Sequence, residues 1–338
     1  MRIGVLYNTA EAGGFPGTDR QYVADAITNA RNVTETLTKN GHQTDLYQIT
    51  NKGLDQEIKR LAKKVDVVFN LTESVGQKLV LRVISSLEKH KVPYVGANRS
   101  GQILTSDKLI LKNFLTSHNF PTPKAQFFKN GKERIIKTLR YPLIIKSAIE
   151  HGSISIHQES VVDNPKDARK QIQLLLEKYH NTYVLAEEFI DGKEINASVY
   201  GSLDWTNCLP LSEVDFIGSY NNLGKWKICT YEANYNKGTP EYNDSPSKLV
   251  DWLSKKEEEY IKNLSMTICK MTECFDYARL DIRYHPVKKI PYIIDVNSYP
   301  CLKDIKEDTI TISRRALGIG FAHFLEILAK SGIKRSTC

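Results

Sequence analysis

The sequence predicts an α/β fold at the start of the chain and an α+β arrangement after it, and three observations carry that expectation. Over residues 1–97, short apolar strand runs alternate with segments of helical periodicity. From Ser106 the pattern changes to strands separated by polar and glycine-bearing turns. Between Tyr277 and Leu302, charged residues punctuate two runs otherwise suited to strands. At 338 residues the chain has an ample core and is long enough for two or three domains or subdomains.

In the first third, Ile3–Tyr7 reads as a strand, followed by a turn carrying Gly13, Gly14 and Gly17. A helix is predicted over roughly 19–40, because Val23, Ile27, Ala30, Val33 and Leu37 fall on one stripe and Gly41 lies just past its end. A strand at Gln43–Ile49, a helix with Leu54, Ile58 and Leu61, and a strand at Val65–Asn70 follow. A helix with Leu79, Val83, Ile84 and Leu87 then leads to a strand at Val92–Val95. This β-α-β-α-β order implies a parallel, doubly wound sheet, whose ligands bind beyond the carboxyl ends of the strands. The loops Asn8–Thr18, Asn70–Gly76 and Gly96–Ser100 are therefore candidate binding loops, and Glu11 and Glu73 in them are candidates for holding a substrate ammonium group. The glycine spacing is not that of a dinucleotide fingerprint, so a nicotinamide cofactor is set aside.

Further along, Ser106 or Asp107 can cap a helix reaching about His118, closed by Pro121 and Pro123. Tyr141–Lys146 reads as a buried strand ending in a lysine. The turn Glu150–His157 is predicted to feed an alternating strand, and its backbone N–H groups and serines can cradle phosphate oxygens. A helix at about 164–178 and a strand at Tyr183–Glu187 come next. The stretch Glu187–Glu194 (E-E-F-I-D-G-K-E) offers acceptor carbonyls, apolar faces and a later carboxylate, a combination that can grip a base and its ribose.

Near the C-terminus, Arg279, Asp281 and Arg283 share one face of a strand, and Asp295 and Asn297 share one face of the next. Three oxygen-bearing side chains, Asp281, Asp295 and Asn297, can converge there as ligands for Mg²⁺. Spacing alone fits a hairpin with a solvated polar face equally well.

Composition narrows the function classes. A charged content of 25% and a hydrophobic content of 41% describe a soluble globular chain. The opening M-R-I-G-V-L-Y-N reads as a strand, not a signal peptide, and no apolar run approaches a membrane span, so no membrane partner is expected. The net charge of +8 is scattered and interleaved with glutamates, with no basic and aromatic stripe, so no nucleic-acid partner is expected. The six cysteines show no C-x-x-C pair or zinc spacing, which fits a reduced, cytoplasmic setting.

Taken in order, these segments resemble the ATP-grasp superfamily and, within it, the D-alanine–D-alanine ligase-like enzymes. The resemblance runs from about residue 65 to 302. It rests on Val92–Gly96 with Asp107 and Lys108, Ile145–Ile156, Glu187–Glu194, Tyr231–Tyr235 (Y-E-A-N-Y), and Arg279, Asp281, Asp295, Asn297 and Pro300. It implies an N-terminal domain (1–97), a small central subdomain (98–186) and a C-terminal mixed-sheet subdomain (187–338), with ATP gripped between the last two.

It further implies that Lys108 and Lys146 contact the nucleotide phosphates and that Ser153 sits in the turn closing over them. Glu187, Glu188, Phe189 and Ile190 would form the adenine hinge, Glu194 would accept from the ribose, and Asp281, Asp295 and Asn297 would hold Mg²⁺, with Mn²⁺ admissible in the same seat. Arg279 would stabilise a tetrahedral intermediate. The implied activity is ADP-forming amide synthesis through an acyl phosphate, on amino acids or small peptides, with a homodimer compatible with the family.

Four features depart from the pattern. Asn234 stands where a phosphate-contacting lysine is usual, with Lys237 three residues on as a substitute. Ser155 stands where glycine is usual, and Cys301 follows Pro300 where glycine is common. Phe69–Glu73 (F-N-L-T-E) differs from the H-G-type segment of enzymes that make the cell-wall dipeptide. These differences point to another amino acid or peptide as substrate, with Tyr231 and Cys301 as candidate substrate contacts. The alternative expectation is a nucleotide-binding protein without ligase activity.

Overall fold

The computed structural model describes residues 1–14, 20–150, 152–179, 182–202, 204–306 and 308–336, excepting the side chains of residues 20–23, 25 and 75. Gly17, His151, Cys338 and the side chain of Val23 thus lie outside what is described.

The first unit contains β1 (Arg2–Tyr7), α1 (Ala10–Gly13), α2 (Arg20–Lys39), β2 (Gln43–Gln48), α3 (Leu54–Leu61), β3 (Val67–Asn70), α4 (Lys78–Lys89) and β4 (Tyr94–Val95). Its sheet is parallel in the order β2-β1-β3-β4, as the alternation predicts. Helices α3 and α4 cover one face through Leu54, Ile58, Leu61, Leu79, Val83, Ile84 and Leu87. Ala30, Val33 and Leu37 of α2 cover the other.

Two helices follow where one is expected, α5 (Arg99–Ser106) and α6 (Lys108–Ser117). Asp107 ends the first and caps the second, its carboxylate accepting from Leu109 N at 2.8 Å. The central sheet is antiparallel, in the order β5-β8-β6-β7, and comprises β5 (Ala125–Phe128), β6 (Leu143–Ser147), β7 (Val161–Val162) and β8 (Val184–Glu188), with α7 (Pro165–Lys178) packed on it. The alternating strand expected after the Glu150–His157 turn does not form. A 3-10 turn at Gln158–Ser160 follows instead, because Ser160 and His157 bond to each other's backbone and curl the chain.

The third unit begins with β9 (Lys193–Gly201), β10 (Thr206–Cys208), β11 (Ser212–Val214), α8 (Ser219–Asn222), α9 (Tyr231–Tyr235), α10 (Pro240–Asn243) and β12 (Ser247–Leu249). It continues with α11 (Lys255–Met271), β13 (Asp276–His285), β14 (Ile290–Asn297), α12 (Thr309–Ala316) and α13 (Phe321–Ser336). Strand order is β12-β11-β9-β13-β14, with β10 on β9. Every described pairing is antiparallel where a mixed sheet is expected. The reason is topological: α11 carries the chain between β12 and β13, which run in opposite directions, so no parallel crossover unit arises.

Packing does not follow chain order. Leu111 and Leu115 of α6 are buried with Ala197, Val199, Ala278, Leu280 and Ile282 on the third sheet. Phe324, Leu325 and Leu328 of α13 return to the first sheet and join Ile3, Val5, Val67 and Phe69. A buried polar clamp fixes that return. Asp276 accepts from Gly96 N at 2.9 Å and from Arg335 at 3.1 Å, and the Arg335 guanidinium lies 4.5 Å from the Tyr94 ring centre.

No single described helix is long and apolar enough to cross a membrane. Helices α12 and α13 reach that measure only together, bent by 97°, and the apolar side chains of α13 are spent on the core.

Because Leu328 is fully buried between α13 and the first sheet, Leu328→Ala should cost about 2–5 kcal/mol of unfolding free energy. Urea titration measures this. A loss below about 0.5 kcal/mol, the range of surface substitutions, would mean that α13 does not complete that core.

Candidate functional site

Strand β13 has two faces of opposite character. Ala278, Leu280, Ile282 and Tyr284 enter the apolar core. Tyr277, Arg279, Asp281 and Arg283, on the alternate face, line a cavity of about 860 Å³ bounded by parts of all three units.

Asp281 lies at the middle of this face. Arg279 donates a two-pronged pair to its carboxylate, from Nε at 2.7 Å and from an Nη at 3.1 Å. Asn196 Nδ2 donates at 2.8 Å and Asn297 Nδ2 at 2.9 Å. A bulge in β14 decides what stands opposite. Ile282 pairs with Ile293, yet Asp281 pairs with Asp295, so Ile294 is the extra residue and Asp295 is brought across from Asp281. Asn297 is the cross-strand partner of Arg279. Asp281, Asp295 and Asn297 therefore share one wall of the cavity.

Three buried lysines approach from the central unit and α6. Lys108 donates to the Glu150 carbonyl at 2.7 Å and stands 3.6 Å from Asp295. Lys146 and Lys112 each reach a different oxygen of Glu187 at 2.6 Å. Burial pushes the Glu187 carboxyl up, but the two ammonium groups outweigh it and hold it below the usual glutamate value. Burial also lowers Lys112. Two cations sharing one anion leave a cluster with a net positive charge beside the cavity.

At the other end of β13, Arg283 donates to Glu194 at 3.0 Å, to the Ile190 carbonyl at 3.1 Å and to the Lys227 carbonyl at 2.7 Å. Its guanidinium lies 5.0 Å from the Phe189 ring centre, and Phe189 meets Trp226 edge-on at 5.4 Å. Val161 and Ile228 complete an apolar slot there. Burial pushes the Glu194 carboxyl up despite Arg283.

The closing turn is tied across the cavity. His157 bonds Glu232 at 2.9 Å, and Tyr231 N donates to the Ile156 carbonyl at 2.8 Å. The left-handed backbone falls at Gly152 and Ser153, with φ of +63° and +60°. Ser155 is outside that region, so it needs no glycine-like freedom. Its buried hydroxyl accepts from Ser147 N at 3.1 Å.

Of the residues singled out by sequence, Lys108, Lys146, Ser153, Glu187, Glu188, Phe189, Ile190, Glu194, Lys237, Arg279, Asp281, Asp295, Asn297, Glu73 and Cys301 line this cavity. Glu11 and Tyr231 are not in its lining. Glu11 is exposed on α1, and Tyr231 packs against Tyr235 at 5.0 Å. Glu188 turns its carboxylate to Arg140 N at 3.0 Å. Asn234 donates back to the Thr230 carbonyl at 3.2 Å, and Lys237 is exposed at the rim.

Sequence reasoning missed Lys112, Asn196 and the bridging role of Arg283. For Lys112 a signal existed: it lies one helical turn after Lys108, beside Leu111 and Leu115, which mark the inward face.

The donor set fits a hard divalent cation. Asp281 and Asp295 offer carboxylate oxygens and Asn297 its amide oxygen. Among the described residues no group of three His, Cys, Asp or Glu gathers, so such an ion would draw further ligands from water and phosphate, as Mg²⁺ does.

Since Glu187 is lowered on folding, its stabilising contribution is complete above the unfolded value near 4.5 and is lost as pH falls through the folded value. Glu187→Gln should cost about 3–5 kcal/mol at pH 7 by stranding buried ammonium charge. It should also flatten the decline in stability below pH 4.5, read from urea titrations at stepped pH. An unchanged acid slope would transfer that dependence to other carboxylates.

Comparison with known proteins agrees with this geometry. Residues 113–330 match the family described as D-ala D-ala ligase C-terminus. An uncharacterized protein of Sinorhizobium fredii, y4sG, is 29% identical over 89% of this chain and 88% of its own length. A D-alanine–D-alanine ligase of Carboxydothermus hydrogenoformans is 27% identical over 85% of this chain and 88% of its own. Among solved structures, the Bacillus anthracis D-alanine–D-alanine ligase complexed with ATP superposes with a TM-score of 0.76 at 20% identity, covering 100% of this chain and 98% of that one. The VanG D-Ala:D-Ser ligase of Enterococcus faecalis superposes with a TM-score of 0.73 at 20% identity, covering 98% and 99%. With the family matched over more than half of its length and the fold shared from end to end, the chain belongs to the D-alanine–D-alanine ligase family and has the ATP-grasp fold.

Proposed function

We propose that the protein is an ATP-dependent, ADP-forming carboxylate–amine ligase that joins amino acids or small peptides by an amide bond. The observation that carries this reading is one cavity in which two facing strands present Asp281, Asp295 and Asn297 while Lys108 and Lys146 stand opposite.

A carboxylate is a poor electrophile. Transfer of the γ-phosphoryl group from ATP to it gives an acyl phosphate and ADP, and attack by an amine then forms the amide and releases phosphate. Such transfers depend mainly on positioning and charge stabilisation. Phe189 and its apolar neighbours form the slot for the base, with Glu187 and Ile190 at its edge and Glu194 toward the ribose. Lys108 and Lys146 offset charge on the transferring oxygens, and Ser153 lies in the turn over them. Asp281, Asp295 and Asn297 would hold Mg²⁺, or Mn²⁺ on the same donors, which would supply further charge neutralisation at the phosphates. Arg279, held at the rim of that seat by Asp281, is placed to meet the oxyanion that develops as the amine attacks.

A second reading, nucleotide binding without ligation, is favoured by Asn234, whose amide donates into its own helix and brings no charge to the phosphates.

Release of ADP should require a carboxylate and an amine together. Asp295→Asn should lower kcat by about a hundredfold or more while the thermal melt stays cooperative. Arg279→Met should lower kcat by roughly 10²–10³. Undiminished turnover in Asp295→Asn would remove the cation seat. ATP-induced thermal stabilisation without ADP formation, whatever amino acids are offered, would establish the second reading.

A further inference from the structure

Arg283 lines the cavity at its apolar end and is 5% exposed. It stands directly across from Glu194 in the pairing of β13 with β9. Its hydrogen bonds reach three separate stretches of chain. Nε donates to the Ile190 carbonyl, in the connection from β8 to β9, and Nη1 donates to the Glu194 carboxylate and to the Lys227 carbonyl. The residue before Lys227 is itself anchored to the central unit. Gln158 donates to the Trp226 carbonyl at 3.1 Å and accepts from Trp226 N at 2.8 Å. The Phe189 ring, against which the guanidinium lies, meets Trp226 edge-on. One side chain therefore sets a carboxylate, a ring and two backbone carbonyls around one end of the cavity.

Stability alone does not account for an arginine here. Nη2 is buried with no hydrogen-bond partner among the described residues, and an unpaired buried donor is a cost. The cluster around Phe189 is otherwise apolar, with Val161 and Ile228. Replacing a buried ion pair by apolar side chains of similar volume is often neutral or stabilising.

What the arginine supplies is a fixed carboxylate. Glu194 lines the cavity, its side chain 17% exposed. Burial works against its ionised form, Arg283 favours that form, and the charge of Asp281 opposes it. Arg283 binds Oε2. The other oxygen, Oε1, takes no hydrogen bond among the described residues, which leaves it to accept from a ligand.

We infer that Arg283 is the positioning residue for ribose recognition, acting through Glu194, whose carboxylate it holds in the orientation that accepts from the sugar hydroxyls. The inference rests on the nucleotide reading of this end of the cavity. An acceptor fixed before binding loses less freedom when the ligand arrives, and a hydrogen bond to a charged acceptor is stronger than a neutral one.

The experiment is isothermal titration calorimetry with ATP and with 2′,3′-dideoxy-ATP, which lacks both ribose hydroxyls, each with Mg²⁺ and without amino acids. The wild type should bind ATP about tenfold or more tightly than the dideoxy analogue. Arg283→Met should bring that ratio close to one by weakening ATP and leaving the analogue nearly unchanged. Arg283→Gln carries the same expectation, and Glu194→Ala shows the loss when ribose recognition is gone. Thermal melts confirm that each variant is folded. A merely structural role would weaken both nucleotides together and preserve the ratio. A ratio preserved in either folded Arg283 variant, or in Glu194→Ala, would overturn the inference. So would equal binding of the two nucleotides by the wild type, with the nucleotide slot left standing. No binding of ATP at all would overturn the nucleotide reading and this inference with it.

Discussion

Burying the polar face of β13 is the constraint on which the rest of the molecule depends. The strand lies inside the third sheet, next to its edge strand, hydrogen-bonded to β9 on one side and β14 on the other. An ionised side chain in such a place costs several kcal/mol unless it is paired. Each charge here is accordingly answered by a neighbour supplied by the fold. Asp281 accepts from Arg279, Asn196 and Asn297, and Arg283 is answered by Glu194 and two backbone carbonyls. The opposite face is apolar and holds α6 and α11. One strand therefore carries both the core and a wall of the cavity, and displacing either face disturbs the other.

The same economy links the central sheet to the third. Glu187 is the penultimate residue of β8, and Lys112 sits on α6, which packs on the third sheet. Their contact, shared with Lys146, ties the two units through a buried charge cluster. Lys112 also donates to Thr122 and reaches the Ile293 carbonyl in β14, two residues from Asp295. Between β8 and β9 the chain passes so close to β13 that a Cβ at Gly192 would lie 2.1 Å from the Tyr284 carbonyl oxygen. Only glycine fits there. The apolar cluster around Phe189 and the carboxylate pair Asp281 and Asp295 are thus set relative to each other by backbone contact and buried charge.

The first sheet borders the cavity through Asn70, Leu71, Thr72 and Glu73. The carboxyl ends of β1 and β3 meet where Asn8 bonds both the N–H and the carbonyl of Glu73, so two of the loops expected to bind ligand form one edge. Gly96 approaches Tyr299 closely enough that a Cβ would fall 2.3 Å from the ring, and the Tyr299 hydroxyl donates to the Ala97 carbonyl at 2.9 Å. The Asp276–Arg335 clamp holds the same region from behind. The segment carrying Pro300 and Cys301 is therefore pinned against the first unit.

Periodicity alone determined the parallel first sheet, the helices α2, α3, α4 and α7, and the polar face of β13, because those features repeat at 3.6 or 2 residues and declare which side is buried. Motif order along the chain pointed to the family and to most of the cavity wall. What needed tertiary structure were facts about who stands opposite whom. The bulge that brings Asp295 opposite Asp281 is one extra residue in a strand, with no local signature. Lys112 and Lys146 lie far apart in the chain and share a carboxylate only because α6 folds against the third sheet. Glu11 is exposed and Tyr231 stands outside the cavity lining, since membership in a loop says nothing about where its side chain faces. Residue types and local repeats reside in the chain, whereas cross-strand partners, the sharing of buried charge and the depth of a cavity are decided only when distant segments compete for the same space.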